Sequence, residues 1–233
     1  MDYARLLTEG VGSWLRFESA CDRSGLFSEK YLTHPIGQIL SARSGNRALA
    51  EYKHPVLAQY AEGSGRRPEV DFVVCDEDRK VSIAVESKWI GRTEPSVQSI
   101  LWDIIRLELL AHHQKARCFF VLGGRTGALE KLFTRGAFSG VSSHTPRKPL
   151  LRHDKNNLHN TDLVPTVQIR IPLLKELFSS YQNVEFPCEV ASRRSQPFPL
   201  ESKKSHYQIY TWEILSAKRR DIFYPRNSRH YAC

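Results

Sequence analysis

No apolar run in this sequence approaches the roughly 18 residues needed to span a bilayer. The opening Met-Asp-Tyr-Ala-Arg lacks the charged-then-apolar layout of a signal peptide. A cytoplasmic protein with no membrane partner is therefore expected. Cysteine is sparse: Cys21, Cys75, Cys118, Cys188 and Cys233 are odd in number and include no Cys-x-x-Cys pair. That pattern argues against a disulfide framework or a zinc knuckle. Cys75 and Cys118 fall in apolar runs, where a thiol packs as a small core side chain. No serine stands in a Gly-x-Ser-x-Gly elbow. The segment Gly123-Gly124-Arg125-Thr126-Gly127 lacks the Gly-Lys-Ser/Thr ending of a phosphate loop, so a strand-to-helix turn is the better reading. His112 and His113 adjoin on a helix and point apart, and His153 and His159 have no Cys or carboxylate framework around them.

Acidic residues are in deficit. Lys and Arg number 34 against 25 Asp and Glu, a net charge of +9. Such an excess suits a polyanion, because each neutralised phosphate releases condensed counterions. At 233 residues the chain is long enough to bury a proper core as one domain.

Apolar spacing predicts helices over residues 3–20 and 27–44, with Gly10 and Gly12 weakening the first and Pro35 kinking or dividing the second. Strands are predicted at 47–53, 70–76 and 80–89, the last two joined as an antiparallel hairpin by Asp76-Glu77-Asp78-Arg79. The strongest helix runs from Pro95 to about Lys115 and carries a wide apolar surface. Arg117 to Leu122 reads as a strand buried on both faces, ended by Gly123-Gly124, and residues 127–133 as a short helix. Residues 139–165 are polar and read as a long loop or insertion. Beyond it, 166–171, 184–191 and 207–215 read as strands and 173–181 as a helix. The sum is an α/β fold with a mixed sheet, an N-terminal helix and a β-rich C-terminal extension. One domain over 1–233 is expected, with a core at 28–135 and the loop and extension at 136–233.

One stretch carries chemistry. Asp71 opens the first hairpin strand, and Glu86-Ser87-Lys88 closes the second. Acidic-x-Lys alone is weak, since Glu51-Tyr-Lys53, Asp78-Arg-Lys80 and Glu201-Ser-Lys203 also match. Context separates the third. In residues 81–89, Val81, Ile83 and Val85 face one side while Ser82, Ala84, Glu86 and Lys88 face the other. Glu86 and Lys88 thus share a face behind small residues that leave room for a metal, and strand pairing can set Asp71 opposite Glu86. Magnesium commonly takes one or two protein carboxylates and fills its shell with water and phosphate oxygens. Lys88 beside it could orient a water or stabilise charge on a phosphorane. A surface hairpin with a Glu–Lys ion pair is the plainer alternative. Glu29, at the start of the second helix, Glu18 and Glu51 are further carboxylates that could join. Gln98, Trp102 and Arg106 form a stripe on the long helix, and Asp103 with Arg106 reads as an intrahelical ion pair.

Asp71, fourteen intervening residues and Glu86-Ser87-Lys88 with an apolar lead-in resemble the PD-(D/E)xK nuclease superfamily, the restriction-endonuclease-like fold. The resemblance spans about residues 28–123, with Val70 rather than proline before Asp71. It implies a Mg²⁺-dependent phosphodiesterase, with Mn²⁺ as a substitute, acting on nucleic acid, DNA being the expected polymer. Asp71, Glu86, the Ser87 carbonyl and Glu29 would be metal ligands, and Lys88 the catalytic lysine. Gln98-x-x-x-Trp102 is similar to the Gln-x-x-x-Tyr signature of RecB-like members, which implies a place for Gln98 near the active site. Arg106, Arg147, Lys148, Lys218, Arg219 and Arg220 are the residues expected to hold the phosphate backbone. A homodimer is compatible with cutting two strands. The alternative is a nucleic-acid-binding or assembly module on the same fold without turnover.

Overall fold

The computed structural model describes residues 2–45, 47–60, 68–91, 95–141, 148–216 and 221–233. Arg147, Lys218, Arg219 and Arg220 lie outside the described residues. The elements run α1 (Tyr3–Ala20), α2 (Glu29–Ser44), β1 (Ala48–Lys53), β2 (Glu69–Cys75), β3 (Val81–Ile90), α3 (Val97–His113), β4 (Arg117–Arg125), α4 (Thr126–Thr134) and α5 (Gly136–Ser139). Then follow β5 (His159–Asp162), α6 (Ile171–Ser179), β6 (Phe186–Pro187), β7 (Glu189–Arg194), β8 (Tyr207–Leu215) and β9 (Ile222–Phe223).

Seven strands form one mixed sheet in the order β1-β2-β3-β4-β8-β7-β5. β3 and β4 pair parallel, joined by α3 as crossover, while every other pair in the sheet is antiparallel. Helices α1 and α2 cover one face, packing Leu7, Val11, Leu15, Leu32 and Ile36 on Phe72, Val85 and Phe119. On the other face α3, α4 and α6 bury Ile104, Leu132 and Phe178 with Ala84, Phe120 and Trp212. The architecture is therefore α/β with a mixed sheet flanked by helices. Residues after 136 supply three strands of that same sheet.

Several sequence expectations give way to tertiary constraints. Pro35 does not divide α2, which runs unbroken past it. Gly12 does not interrupt α1, because a Cβ there would stand 2.4 Å from the Phe198 ring and the missing side chain is what admits the contact. Strand β4 does not stop at Leu122. Gly123 and Gly124 continue the ladder opposite Trp89 and Ile90 on one side and Ile209 and Gln208 on the other. Val81 leaves the face of Ile83 and Val85 because the register shifts by a bulge between Val74 and Cys75, and it packs on the α3 side. The interval 139–165 is not all loop. β5 lies within it and pairs with β7, and backbone carbonyls there accept from Trp212 Nε1 (at Arg152, 2.8 Å), Thr161 Oγ1 (at Leu150, 2.7 Å) and His159 Nε2 (at Pro149, 2.7 Å). The strand expected at 166–171 is instead a single turn at Gln168–Arg170 leading into α6. Arg170 is buried and donates to the carbonyls of Ala137, Phe138 and Lys148. The strand expected at 184–191 splits into β6 and β7, which belong to different sheets, at Pro187-Cys188.

Candidate functional site

The hairpin β2–β3 brings the acidic and basic residues together. Phe72 pairs with Val85, so one step on Asp71 lies across from Glu86. The Asp71 carboxylate accepts from the Ser87 amide and the Ser87 hydroxyl, both at 2.8 Å through Oδ2. These two bonds fix Asp71 against the strand that carries Glu86 and Lys88. As the alternation predicted, Glu86 and Lys88 share a face; it is the α3 side, where both meet residues of that helix.

The room expected in front of them is filled by α3. Arg106 reaches Glu86 Oε1 at 2.8 Å and Asp103 Oδ1 at 2.5 Å. Lys88 Nζ lies 3.1 Å from Asp103 Oδ2 and 3.1 Å from Glu29 Oε1, and donates to the Ser87 carbonyl at 3.3 Å. Asp103 thus bridges the two cations. Its pairing with Arg106 at i, i+3 was visible in the sequence, but its contact with Lys88 depends on how α3 packs on the sheet. Glu29 enters from the first turn of α2, where Ser28 is the N-cap and accepts from the Tyr31 amide.

Burial decides the electrostatics. Glu86 is fully buried, and beyond the Arg106 ion pair at Oε1 its carboxylate has no partner among the described residues. Removal from water, then the charge of Asp103, pushes its carboxyl well above the usual range, with Arg106 opposing. Asp103 is raised by burial too, against the pull of Arg106 and Lys88. Glu29, half-exposed, is raised by burial against Lys88. For Lys88 burial disfavours the ammonium, but Asp103, Glu29 and Asp71 outweigh it and hold the group above its ordinary value. Lys88 therefore stays a cation at neutral pH.

Glu29, Asp71, Glu86 and Asp103 oppose Lys88 and Arg106, an excess of two negative charges if all are ionised. A hard divalent ion matches that excess in charge and in oxygen donors, and Glu86 Oε2, the oxygen that Arg106 leaves free, is a candidate ligand. No three His, Cys, Asp or Glu side chains already converge on one point among the described residues. The fit is one of charge and donor type, with a carboxylate pair rather than a preformed cage.

The other expected residues are distributed. Gln98 takes no part in the hydrogen bonds or ion pairs of the cluster. At roughly 100° per residue it lies about 140° around the helix from Asp103. Trp102 packs on Tyr181 with ring centroids 5.2 Å apart and, with Arg106, Asp71 and Glu51, lines a cleft of about 390 Å³. Arg106 is largely buried and turned onto Glu86 and Asp103. Glu51 sits on β1 with a left-handed φ of 50°, costly for a residue with a Cβ, one step from the pair Ala50–Phe72 and so across from Asp71. Glu18 lies elsewhere, bound by Arg23 at 2.5 Å and by the Tyr31 hydroxyl, which hold its carboxyl at about 2. Lys148 is exposed and paired with Asp162.

Two residues outside the expected site set adjoin the cluster. One is Asp103. The other is His54, fully buried just after β1, whose Nε2–H donates to the Arg106 carbonyl at 3.0 Å while its Nδ1 accepts from the amides of Val56 and Leu57. Burial lowers this imidazole to about 4, so it is neutral in the tautomer those bonds require. The sequence signal was only the dipeptide His54-Pro55 at a strand end.

Compared with protein-family models, with curated proteins and with solved structures, the chain gives no match.

Proposed function

We propose that the chain is a metal-dependent phosphodiester hydrolase acting on nucleic acid, with DNA as the expected polymer and a restriction-endonuclease-like core. The observation that carries this reading is the buried Lys88 ammonium held between Asp103 and Glu29 beside the buried Glu86 carboxylate, whose Oε2 has no partner among the described residues. Asp71, Glu86 and the Ser87 carbonyl would hold Mg²⁺ or Mn²⁺, which supplies Lewis-acid polarisation of the phosphodiester.

The chain's own residues would do the rest. Lys88 remains protonated, so it serves as a donor that orients water or meets charge developing on the phosphoryl oxygens, not as a base. Asp103 and Glu29 fix its position. Ser87 fixes Asp71, and Arg106 keeps Glu86 aimed along the strand face. The net charge of +9 favours a polyanionic substrate.

A specific contact favours a second reading, a binding or assembly module without turnover: Arg106 already occupies Glu86 at 2.8 Å, as a cation locked in place of a metal would. Supercoiled and single-stranded DNA incubated with Mg²⁺ or Mn²⁺ separates the two. The hydrolase cleaves, and Asp71→Ala or Lys88→Ala lowers the rate by about a hundredfold or more. Equal cleavage by wild type and Lys88→Ala would sink the site assignment. Binding unaffected by EDTA, with no cleavage in any lane, would favour the module.

A further inference from the structure

We propose that the cleft between the start of α2, the ends of β3 and β4 and the first turn of α4 holds one nucleotide of an unpaired strand, its base against an aromatic wall and its phosphate at Arg125. The proposal rests on the hydrolytic reading for the identity of the polymer. The cleft encloses about 800 Å³ and shares Glu29 with the Lys88 cluster, which puts the two side by side.

The wall is built deliberately. Trp89, next to Lys88 in β3, points to the opposite face and lies over Gly123, where a Cβ would come within 2.9 Å of the indole. Gly91 gives way likewise, since a Cβ there would stand 2.9 Å from the pyrrole side of the same ring. Tyr207 stacks on Trp89 at 5.7 Å and 30°, and Phe27 meets Tyr207 edge-on at 4.7 Å. Phe27 and Tyr207 are only half-buried and border the open cleft.

The charge beside this wall is positive. The exposed Arg125 sets its guanidinium 5.7 Å over the Tyr207 ring. Arg125 is also the N-cap of α4, and the first turn of that helix carries no acidic residue. A cation on the positive end of a helix dipole is unfavourable unless an anion joins it. Glu29, the carboxylate among the described lining residues, is engaged by Lys88. The amides of Thr126 and Gly127 bond to the carbonyls of His206 and Lys204 at 2.9 and 3.1 Å, which ties the helix start to the turn before Tyr207. An aromatic face and a positive charge with no acidic partner among the described residues, held at fixed spacing, match a nucleotide. Bases of a duplex are stacked on each other, so only an unpaired base can lie on the wall.

Full-length protein in EDTA, titrated into a single-stranded DNA oligonucleotide carrying 2-aminopurine, should quench the probe on binding. Tyr207→Ala and Arg125→Ala should each weaken binding about tenfold. Tyr207→Phe, which keeps the ring, should bind as wild type does, and so should Lys175→Ala on the exposed side of α6. A duplex of the same sequence should bind more weakly and without quenching. Arg125 is exposed, so its variant keeps the test informative should Tyr207→Ala not fold. Equal binding of single strand and duplex, or undiminished affinity in Arg125→Ala, would overturn the proposal. Because binding is read in EDTA and cleavage in the separate Mg²⁺ incubation, the two readings fail separately. Loss of single-strand binding in the variants without any Mg²⁺-dependent cleavage by wild type would leave the subsite and remove the hydrolase. Cleavage with unaffected binding in the variants would do the reverse.

Discussion

At the scale of single residues, the cluster trades stability for charge. Glu86 is buried and repelled by Asp103, and the Arg106 that pairs with it at 2.8 Å is held by Asp103 as well, at 2.5 Å. Glu86→Gln should therefore relieve repulsion without stranding a cation. We expect a melting midpoint higher by about 2–4 °C, together with loss of cleavage. A fall in the midpoint would show that the Glu86–Arg106 pair is net stabilising. His54 gives a pH signature. Its folded value is about 4 against an unfolded 6.5, so its contribution is complete above pH 6.5 and is lost as pH falls towards 4. That interval amounts to about 3 kcal/mol, and His54→Gln should flatten the decline in a pH series of urea melts. Asp71, Glu86 and Lys88 were legible because a strand's alternation places them without tertiary knowledge. Asp103 was not, because a nearby Arg106 already accounted for its charge, and only the seating of α3 on β3 reveals Lys88 as its second partner.

At the scale of elements, glycine and proline misled where packing overrides propensity. Gly123 reads as a strand terminator, yet it sits inside β4 because Trp89 needs the space its side chain would fill. Gly123→Val should cost about 1–3 kcal/mol, since the Cβ would stand 2.7 Å from Ile209 and 2.9 Å from the indole. A red shift in tryptophan emission should accompany it, and unchanged emission and stability would show that the strands move apart freely. β5 was illegible for another reason. His159-Asn160-Thr161-Asp162 has little intrinsic strand preference and is extended because β7 pairs with it. Arg170 anchors the neighbouring segment through three backbone carbonyls. Arg170→Ala should destabilise by about 3 kcal/mol or more by leaving buried acceptors unmet, measurable by urea denaturation.

At the scale of the whole molecule, the sheet ignores the division suggested by the sequence. The predicted core and the later strands share one hydrogen-bonded surface, with β4 flanked by β3 and β8. The core's element order was readable from hydrophobic periodicity. The joining of β8 to β4 was not, because antiparallel partners this far apart leave no local trace. That placement has a consequence for how the chain acquires its structure. During synthesis β4 emerges with one side of its backbone unpaired, and it stays so while residues 126–206 are made. A nascent chain therefore carries an open strand edge, apolar from Cys118 to Gly124, for most of the second half of its translation. The last strand to join the centre of the sheet closes that edge, so commitment to the fold should come late.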